Sequence, residues 1–179
     1  MIINAEQAER DAVLMTAKKM AAAARTAPKT RGIDYLETVI VAGDDLLACA
    51  QRMEELGKEF DLAFMLRDSE NIRSSEAVVF LGIGHHTRNL NEACQYCGSA
   101  DCAECASKNN SCVYDPIDLG IALGSAVSVA ADNRIDNRIM FSAGKAAKSM
   151  GLFDEKVDMV FGIPLSAKGK SIYYDRKNG

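Results

Sequence analysis

Five of the chain's six cysteines crowd into nineteen residues, CQYCGSADCAECASKNNSC, running from Cys94 to Cys112, while Cys49 stands apart. The spacing is C-x2-C-x4-C-x2-C-x6-C, and the residues between are mostly polar. Such a stretch carries no sustained apolar periodicity from which to build a core-facing helix or strand. It has to fold as a loop. What holds the loop is either a set of disulfides or thiolates converging on a metal centre.

The compartment helps to decide between these. The N-terminus, MIINAEQAERDAVLM, lacks the basic and then apolar regions of a secretory signal. No apolar run approaches the roughly 20 residues of a membrane span. The expectation is a cytoplasmic protein with no membrane contact, where thiol buffers make disulfides the weakest explanation. Nor is a covalent staple needed, because a domain of 179 residues buries roughly 70 % of its unfolded surface. Aromatics make up only 6 % and Trp is absent, so the core is built mainly from Ala, Val, Ile, Leu and Met. A net charge of −4 gives no basic face for nucleic acid.

AEQAERDAVLMTAKKMAAAARTAP is rich in strong helix formers, and Val13, Ala17, Met20 and Ala24 recur at helical spacing. Pro28 ends that helix. Tyr35 to Ala42 reads as a buried strand. Asp44 or Asp45 is expected to cap the next helix, DLLACAQRMEELG, and Gly57 to close it. Cys49 sits on that helix as a small buried thiol. From Phe60 to Leu66 the period is ambiguous. Ala77 to Ile83 reads as a second buried strand. Beyond the cysteine loop a helix is expected from Ile117 to about Ala131, with Leu119, Ala122, Leu123 and Ala126 inward. Its small residues Gly120, Gly124, Ser125 and Ser128 leave room for close packing against another helix. A further helix follows, VDMVFGIP is the last clear strand, and SAKGKSIYYDRKNG is a polar tail able to add an edge strand. No linker or repeat divides the chain. Residues 1–179 therefore read as a single α+β domain, with 85–116 as an inserted cysteine-rich segment.

A thiolate-held cluster needs four soft ligands within a few ångströms, and a short, turn-rich loop can wrap them around one core. Gly98, directly after Cys97, suits the wrap because it tolerates positive φ. Structural zinc sites more often separate their C-x2-C knuckles by about 12–20 residues, against four here. This favours an iron–sulfur cluster and leaves zinc as the alternative. Five thiols for four positions leave one over. The pattern C-x2-C-G-x3-C followed by a distant cysteine resembles a recurring 4Fe–4S binding segment of redox proteins. That resemblance implies Cys94, Cys97, Cys102 and Cys112 as ligands and Cys105 as the spare. Cys105 lies three residues after Cys102 on what reads as a short helix, DCAECASK, so these two roles are the pair open to exchange.

The cysteine segment, DLGIALGSAVSVA, DNRIMFSAGKAAKSMGL and GIPLSAKGKSIYYDR occur in an order that resembles a family of ferredoxin-domain-containing proteins, over most of the chain. The resemblance implies a 4Fe–4S-type segment in a bacterial or archaeal protein and implies no particular reaction. KKMAAAARTAPKTRGIDYLETVIVAGDDLLACA is similar to the opening of nitroreductase-like flavoproteins. DLGIALGSAVSVAADNRID with the later GIPLS is similar to their second half. This second likeness implies a nitroreductase-like three-layer fold, an intertwined homodimer and FMN at the subunit interface. The Arg-Arg-Ser-type segment that holds the flavin phosphate in those proteins is missing ahead of AEQAER. Arg25, Lys29 and Arg31 are then the nearest basic residues for the phosphate.

GIGHH places His85 and His86 between a strand end and the cysteine loop, either as an exposed pair or as donors or ligands to a cluster. It is no dinucleotide fingerprint, because Thr87 takes the third glycine's place. Six residues separate Gly162 from Gly169 where a phosphate loop has four, which excludes that form of nucleotide hydrolysis. DNRIDNRI, Asp132 to Ile139, reads as a turn between helices. Asp175 and Arg176 read as partners in ion pairs at the sheet edge or across a dimer. No Ser-His-Asp set or acid–base carboxylate pair is present. The reading that results is a cytoplasmic iron–sulfur protein carrying single electrons to a flavin, a redox partner protein or a small-molecule acceptor. Its alternatives are a zinc-stabilised binding or assembly module, and an FMN-dependent oxidoreductase whose cysteine loop is structural.

Overall fold

The computed structural model describes residues 1–174. Its framework forms around β2 (Ala77–Gly84), which is buried along its whole length. Successive side chains of a strand face opposite sides. Ala77, Val79, Leu81 and Ile83 accordingly enter one apolar cluster, while Val78 and Phe80 enter another. Covered on both faces, this strand reads as a continuous apolar run. β1 (Glu37–Ala42) pairs antiparallel with one side of it, Glu37 opposite Gly82 and Ala42 opposite Ala77. β4 (Val157–Ser166) pairs antiparallel with the other side, and β3 (Asp136–Asn137) adds a short edge, giving the order β1-β2-β4-β3.

Helices cover both faces. α1 (Ala5–Thr26) and α5 (Tyr114–Asp132) supply the first cluster, with the expected stripe of Val13, Ala17, Met20 and Ala24 fully buried. Asn4 caps α1, its side chain accepting from the Gln7 N–H at 2.9 Å. α2 (Asp44–Glu59), α3 (Ala63–Arg73) and α6 (Phe141–Ser149) supply the second cluster, in which Cys49 is the expected buried thiol. The result is an α+β, helix–sheet–helix arrangement in three layers. No helix among the described residues is long and apolar enough to cross a membrane.

Several local expectations need correction. Gly43, not Asp44 or Asp45, is the N-cap of α2, and both aspartates lie in its first turn, where the helix dipole favours them. Gly57 does not close the helix, which runs on to Glu59. A Cβ there would stand 2.9 Å from Leu66 and 3.1 Å from Met65, so Gly57 marks where α3 packs against α2. The ambiguous stretch divides into a turn and the start of α3 at Ala63. β1 begins at Glu37, leaving Tyr35 free for another role. The second half of DNRIDNRI supplies β3, which takes the sheet edge expected for the tail. Residues 167–174 carry no strand, and Asp175 and Arg176 lie outside the described residues.

α6 crosses β4 closely at Gly144, where an added Cβ would collide with the Val160 carbonyl, a backbone group that cannot turn aside. Gly144→Ala is therefore expected to lower stability by roughly 1–3 kcal/mol. Urea denaturation of the reduced apoprotein checks this as a fall in midpoint at an unchanged m-value.

Candidate functional site

Between β2 and α5 the chain makes an excursion, residues 85–113. Its one α-helix is α4 (Cys102–Ser107), the short helix expected around DCAECASK, and a single 3₁₀ turn spans Asn91–Ala93. Asp101 caps it by accepting from the Glu104 N–H at 2.7 Å, and the Glu104 carboxylate accepts from the Ala100 N–H at 2.6 Å. The rest turns through left-handed residues at Asn89, Asn91, Gln95 and Gly98. Asn and Gly adopt that conformation readily, Gln does not. Gln95 is tied down by its side-chain amide, which donates to the Ala100 carbonyl at 3.0 Å.

The wrap brings all five loop cysteines to the wall of one cavity, with Arg88 beside them. Cys105 and Cys112 are buried, and Cys94, Cys97 and Cys102 are half-buried. Side chains fill the space between them, leaving about 10 Å³, room for about one water. Among the described residues no three Cys, His, Asp or Glu side chains are arranged to hold a single metal ion. The sulfurs already have polar partners. The Asn91 N–H donates to Cys102 Sγ at 3.3 Å, and the Cys105 thiol donates to the Asn110 carbonyl at 3.4 Å. The Ser99 N–H holds the Cys97 thiol below its ordinary pKa. Burial pushes Cys105 up to about 11 and also raises Cys112. Soft donors in excess of four, with backbone N–H groups aimed at sulfur, are the chemistry that a thiolate-held cluster uses, and the closely packed thiols would have to move apart to take one. Coordination itself deprotonates a thiol, so the raised values at the buried pair are no obstacle.

Beneath the cavity lies a feature absent from the sequence expectations. Arg88 is 1 % exposed, and one of its guanidinium nitrogens stands 2.9 Å from Asp115 and 3.0 Å from Asp118. A second donates to the His86 carbonyl at 2.7 Å, and the guanidinium lies 4.9 Å from the centre of the Tyr35 ring. Asp118 also accepts from the Thr30 N–H and hydroxyl, and Asp115 from the His86 N–H. Burial raises the Asp115 pKa even against Arg88 and the His86 N–H. The knot ties the strand end before the cysteines to the first turn of α5 after them, pinning both ends of the loop. One signal for it was present. Asp115 and Asp118 share the helix face of Leu119 and Ala122, and carboxylates on an apolar stripe call for a buried cation.

Neither histidine lines the thiol cavity. His85 pairs with Asp158 at 3.0 Å, and His86 stacks on Tyr35 with centroids 3.8 Å apart. Tyr35, both histidines, Thr87, Asn109 and Asn110 line a neighbouring polar cavity of about 360 Å³, which shares Thr87 with the thiol cavity. Of the three basic residues, Arg25 stands in the last turn of α1, and Lys29 and Arg31 follow it in the α1–β1 connection; Arg25 and Lys29 converge on Asp34, while Arg31 points elsewhere. Arg25 binds Asp34 at 2.7 Å and the Leu36 carbonyl at 2.9 Å. Lys29 caps the end of α1, donating to the carbonyls of Ala24, Arg25 and Ala27. Arg31 donates to the Arg88 carbonyl at 2.7 Å, which joins this connection to the thiol cavity.

Removing the guanidinium would leave two carboxylates buried without their cation. Arg88→Met is expected to cost about 3–5 kcal/mol, with Asp118→Asn milder because Asp115 stays paired. Chemical denaturation of the two apoproteins side by side measures both.

The family model described as "Uncharacterized protein containing a ferredoxin domain (DUF2148)" matches residues 108–176, a span that begins after Cys105 and includes Cys112. An uncharacterized protein of Archaeoglobus fulgidus is 42 % identical over 185 residues, covering 98 % of each chain. Among solved structures, the FMN-dependent nitroreductase NfnB from Mycobacterium smegmatis, in complex with NADPH, aligns with a TM-score of 0.61 at 11 % identity. That alignment covers 87 % of this chain and 78 % of the other. A BluB-like flavoprotein from Clostridium difficile 630 aligns over 100 % of this chain and 87 % of its own, with a TM-score of 0.57 and 14 % identity. A nitroreductase with bound FMN from Desulfitobacterium hafniense DCB-2 gives 0.57 at 16 % identity, covering 95 % and 81 %. Identities this low speak for the fold alone, which is nitroreductase-like. The kinship is carried by the full-length archaeal relative together with the family match: the chain belongs to the family of proteins described as containing a ferredoxin domain.

Proposed function

We propose that this chain is an iron–sulfur redox protein that carries single electrons in a reducing, cytoplasmic setting. The observation that supports it most is the convergence of five thiols on one cavity. All six cysteines are unpaired, which suits a compartment that keeps thiols reduced. In this reading Cys94, Cys97, Cys102 and Cys112 hold a 4Fe–4S cluster and Cys105 does not. Such a cluster supplies one-electron transfer at a potential that protein surroundings set anywhere from about −700 to +450 mV. The chain's own part is to hold and tune it. The Asn91 N–H donates to Cys102 Sγ, the Ser99 N–H favours the charged form of Cys97, and Arg88 fixes the ends of the loop. A small-molecule acceptor would find the polar cavity at the Tyr35–His86 stack a few residues away; a redox partner protein would approach the exposed rim of the loop.

Protein purified without oxygen is expected to be brown, with about four irons per chain and broad absorption that bleaches on reduction. Cys105→Ser is expected to stay brown, and serine at any of the other four positions to lose or convert the colour. Stoichiometric zinc without iron would overturn the reading in favour of a zinc-stabilised module. A colourless Cys105→Ser beside a brown Cys102→Ser would reverse the ligand assignment.

A second reading, FMN bound between two copies of the chain, is favoured by the nitroreductase-like fold. The exposed face of α5 bearing Gly120, Ile121 and Gly124 is open, with nothing close to where a Cβ would sit at either glycine, and supports a two-fold contact. The flavin would bind weakly. A lost charged hydrogen bond to phosphate costs on the order of 1.5–3 kcal/mol, or about one to two decades of affinity. One sample tests both parts. Light scattering should give twice the chain mass of 19.3 kDa, and added FMN should quench saturably. A monomer with no saturable change up to about 100 µM FMN, a ceiling near −5.5 kcal/mol of binding energy, would end this reading.

A further inference from the structure

The helical layer of α2, α3 and α6 holds a cavity of about 340 Å³ that shares no lining residue with the thiol cavity or the polar one beside it. That volume falls at the lower end of the roughly 300–1,000 Å³ usual for small-molecule sites. Leu56 and Met65, buried members of the second apolar cluster, line it from α2 and α3. Phe60 and Phe141 stand in its wall 59 % and 46 % exposed, apolar rings that a ligand can cover. Its polar groups come from one face of α6. Two of them are engaged. Lys148 donates to Asp158 at 2.6 Å, and the Ser149 hydroxyl accepts from Arg52 at 3.0 Å while donating to the Ala146 carbonyl at 2.9 Å. The third is Lys145, whose ammonium lies 5.4 Å from the centre of the Phe141 ring. No carboxylate among the described residues comes within 4.0 Å of it.

We propose that this cavity binds a small monocarboxylic acid with an apolar body. The hydrocarbon covers Phe60, Phe141 and the Leu56–Met65 floor, and the carboxylate pairs with Lys145. An apolar lining with one uncommitted cation at its edge selects a molecule that is apolar over most of its surface and anionic at one end. A phosphate or a dicarboxylate needs several converging cationic or N–H donors, and here two of the three polar groups are already taken. An uncharged hydrocarbon would cover the phenyl rings but leave the ammonium partly desolvated without a counter-charge, which is unfavourable. The ion pair adds selectivity, while the apolar contact supplies most of the affinity, because a half-exposed pair is worth little by itself. None of this depends on the cluster reading, since the thiols take no part in the cavity.

The test titrates the full-length, reduced chain, isotope-labelled at its methionine methyl groups, with sodium octanoate and separately with octanol. The Met65 resonance, identified by its loss in Met65→Leu, reports on the cavity. Octanoate should shift it saturably with a Kd of about 0.1 mM. Octanol, with the same apolar body and no charge, should bind about tenfold more weakly for want of the charged contact. Lys145→Gln should bring octanoate down to the level of octanol and leave octanol unchanged, whereas Phe60→Ser should weaken both. The other methionine resonances, unmoved in each variant, show that the fold is kept. Equal affinity for acid and alcohol, octanoate binding indifferent to Lys145→Gln, or no saturable shift up to about 3 mM would each overturn the proposal. So would a Met65 resonance that moves with protein concentration alone, alongside a dimer that Phe60→Ser breaks, because a second copy of the chain would then occupy the cavity. Iron content enters none of these readouts, so the cluster reading stands or falls separately.

Discussion

Taking a guanidinium out of water costs several kilocalories per mole unless charge and hydrogen bonds surround it. At Arg88 they arrive from three directions in the chain. Asp115 and Asp118 come from the first turns of α5, the His86 carbonyl from the chain just past β2, and the Tyr35 ring from the stretch before β1. The loop between His86 and Asp115 has little regular structure of its own. Its ends are fixed because this ion cannot be satisfied unless those residues meet. Thr30 on Asp118 and Arg31 on the Arg88 carbonyl extend the same constraint to the connection after α1. The thiol cavity, the polar cavity beside it and the basic connection thus share one set of supports.

The framework was legible in the sequence where periodicity had a single physical meaning. The stripe Val13–Ala17–Met20–Ala24 could only be one face of a helix, and Ala77–Ile83 could only be a strand covered on both sides. Legibility failed where a residue's role depended on a distant element. Gly57 looks like a helix end until Met65 and Leu66 are known to press against it. Asp136 and Asn137 look like turn residues until β4 arrives to pair with them. Tyr35 looked like a strand residue, and its ring is instead taken up by His86 and Arg88.

The site divides in the same way. Crowded cysteines announced a shared centre through spacing alone, and the short α4 was legible in DCAECASK, though not its cap at Asp101. Which thiol faces which neighbour did not follow, because that is fixed by left-handed turns at Asn91, Gln95 and Gly98. Arg88 escaped notice as one polar residue in HTRNLN. Its importance comes from two aspartates that lie 27 and 30 positions later in the chain. The basic residues 25, 29 and 31 were legible as a group by proximity in sequence, and the fold draws Arg25 and Lys29 to Asp34 while Arg31 turns to the Arg88 carbonyl.

Both apolar clusters exclude every one of the loop cysteines; the one cysteine they contain is Cys49. The interior is therefore complete without anything bound at the thiols. Small metal-dependent domains have no folded state to return to when their ion departs. Here the sheet and its two helical layers are packed from other residues, and the thiol loop lies outside that packing. Damage at the thiols need not condemn the molecule. A chain left empty at the thiols is expected to keep its fold, because both packed clusters are built from other side chains.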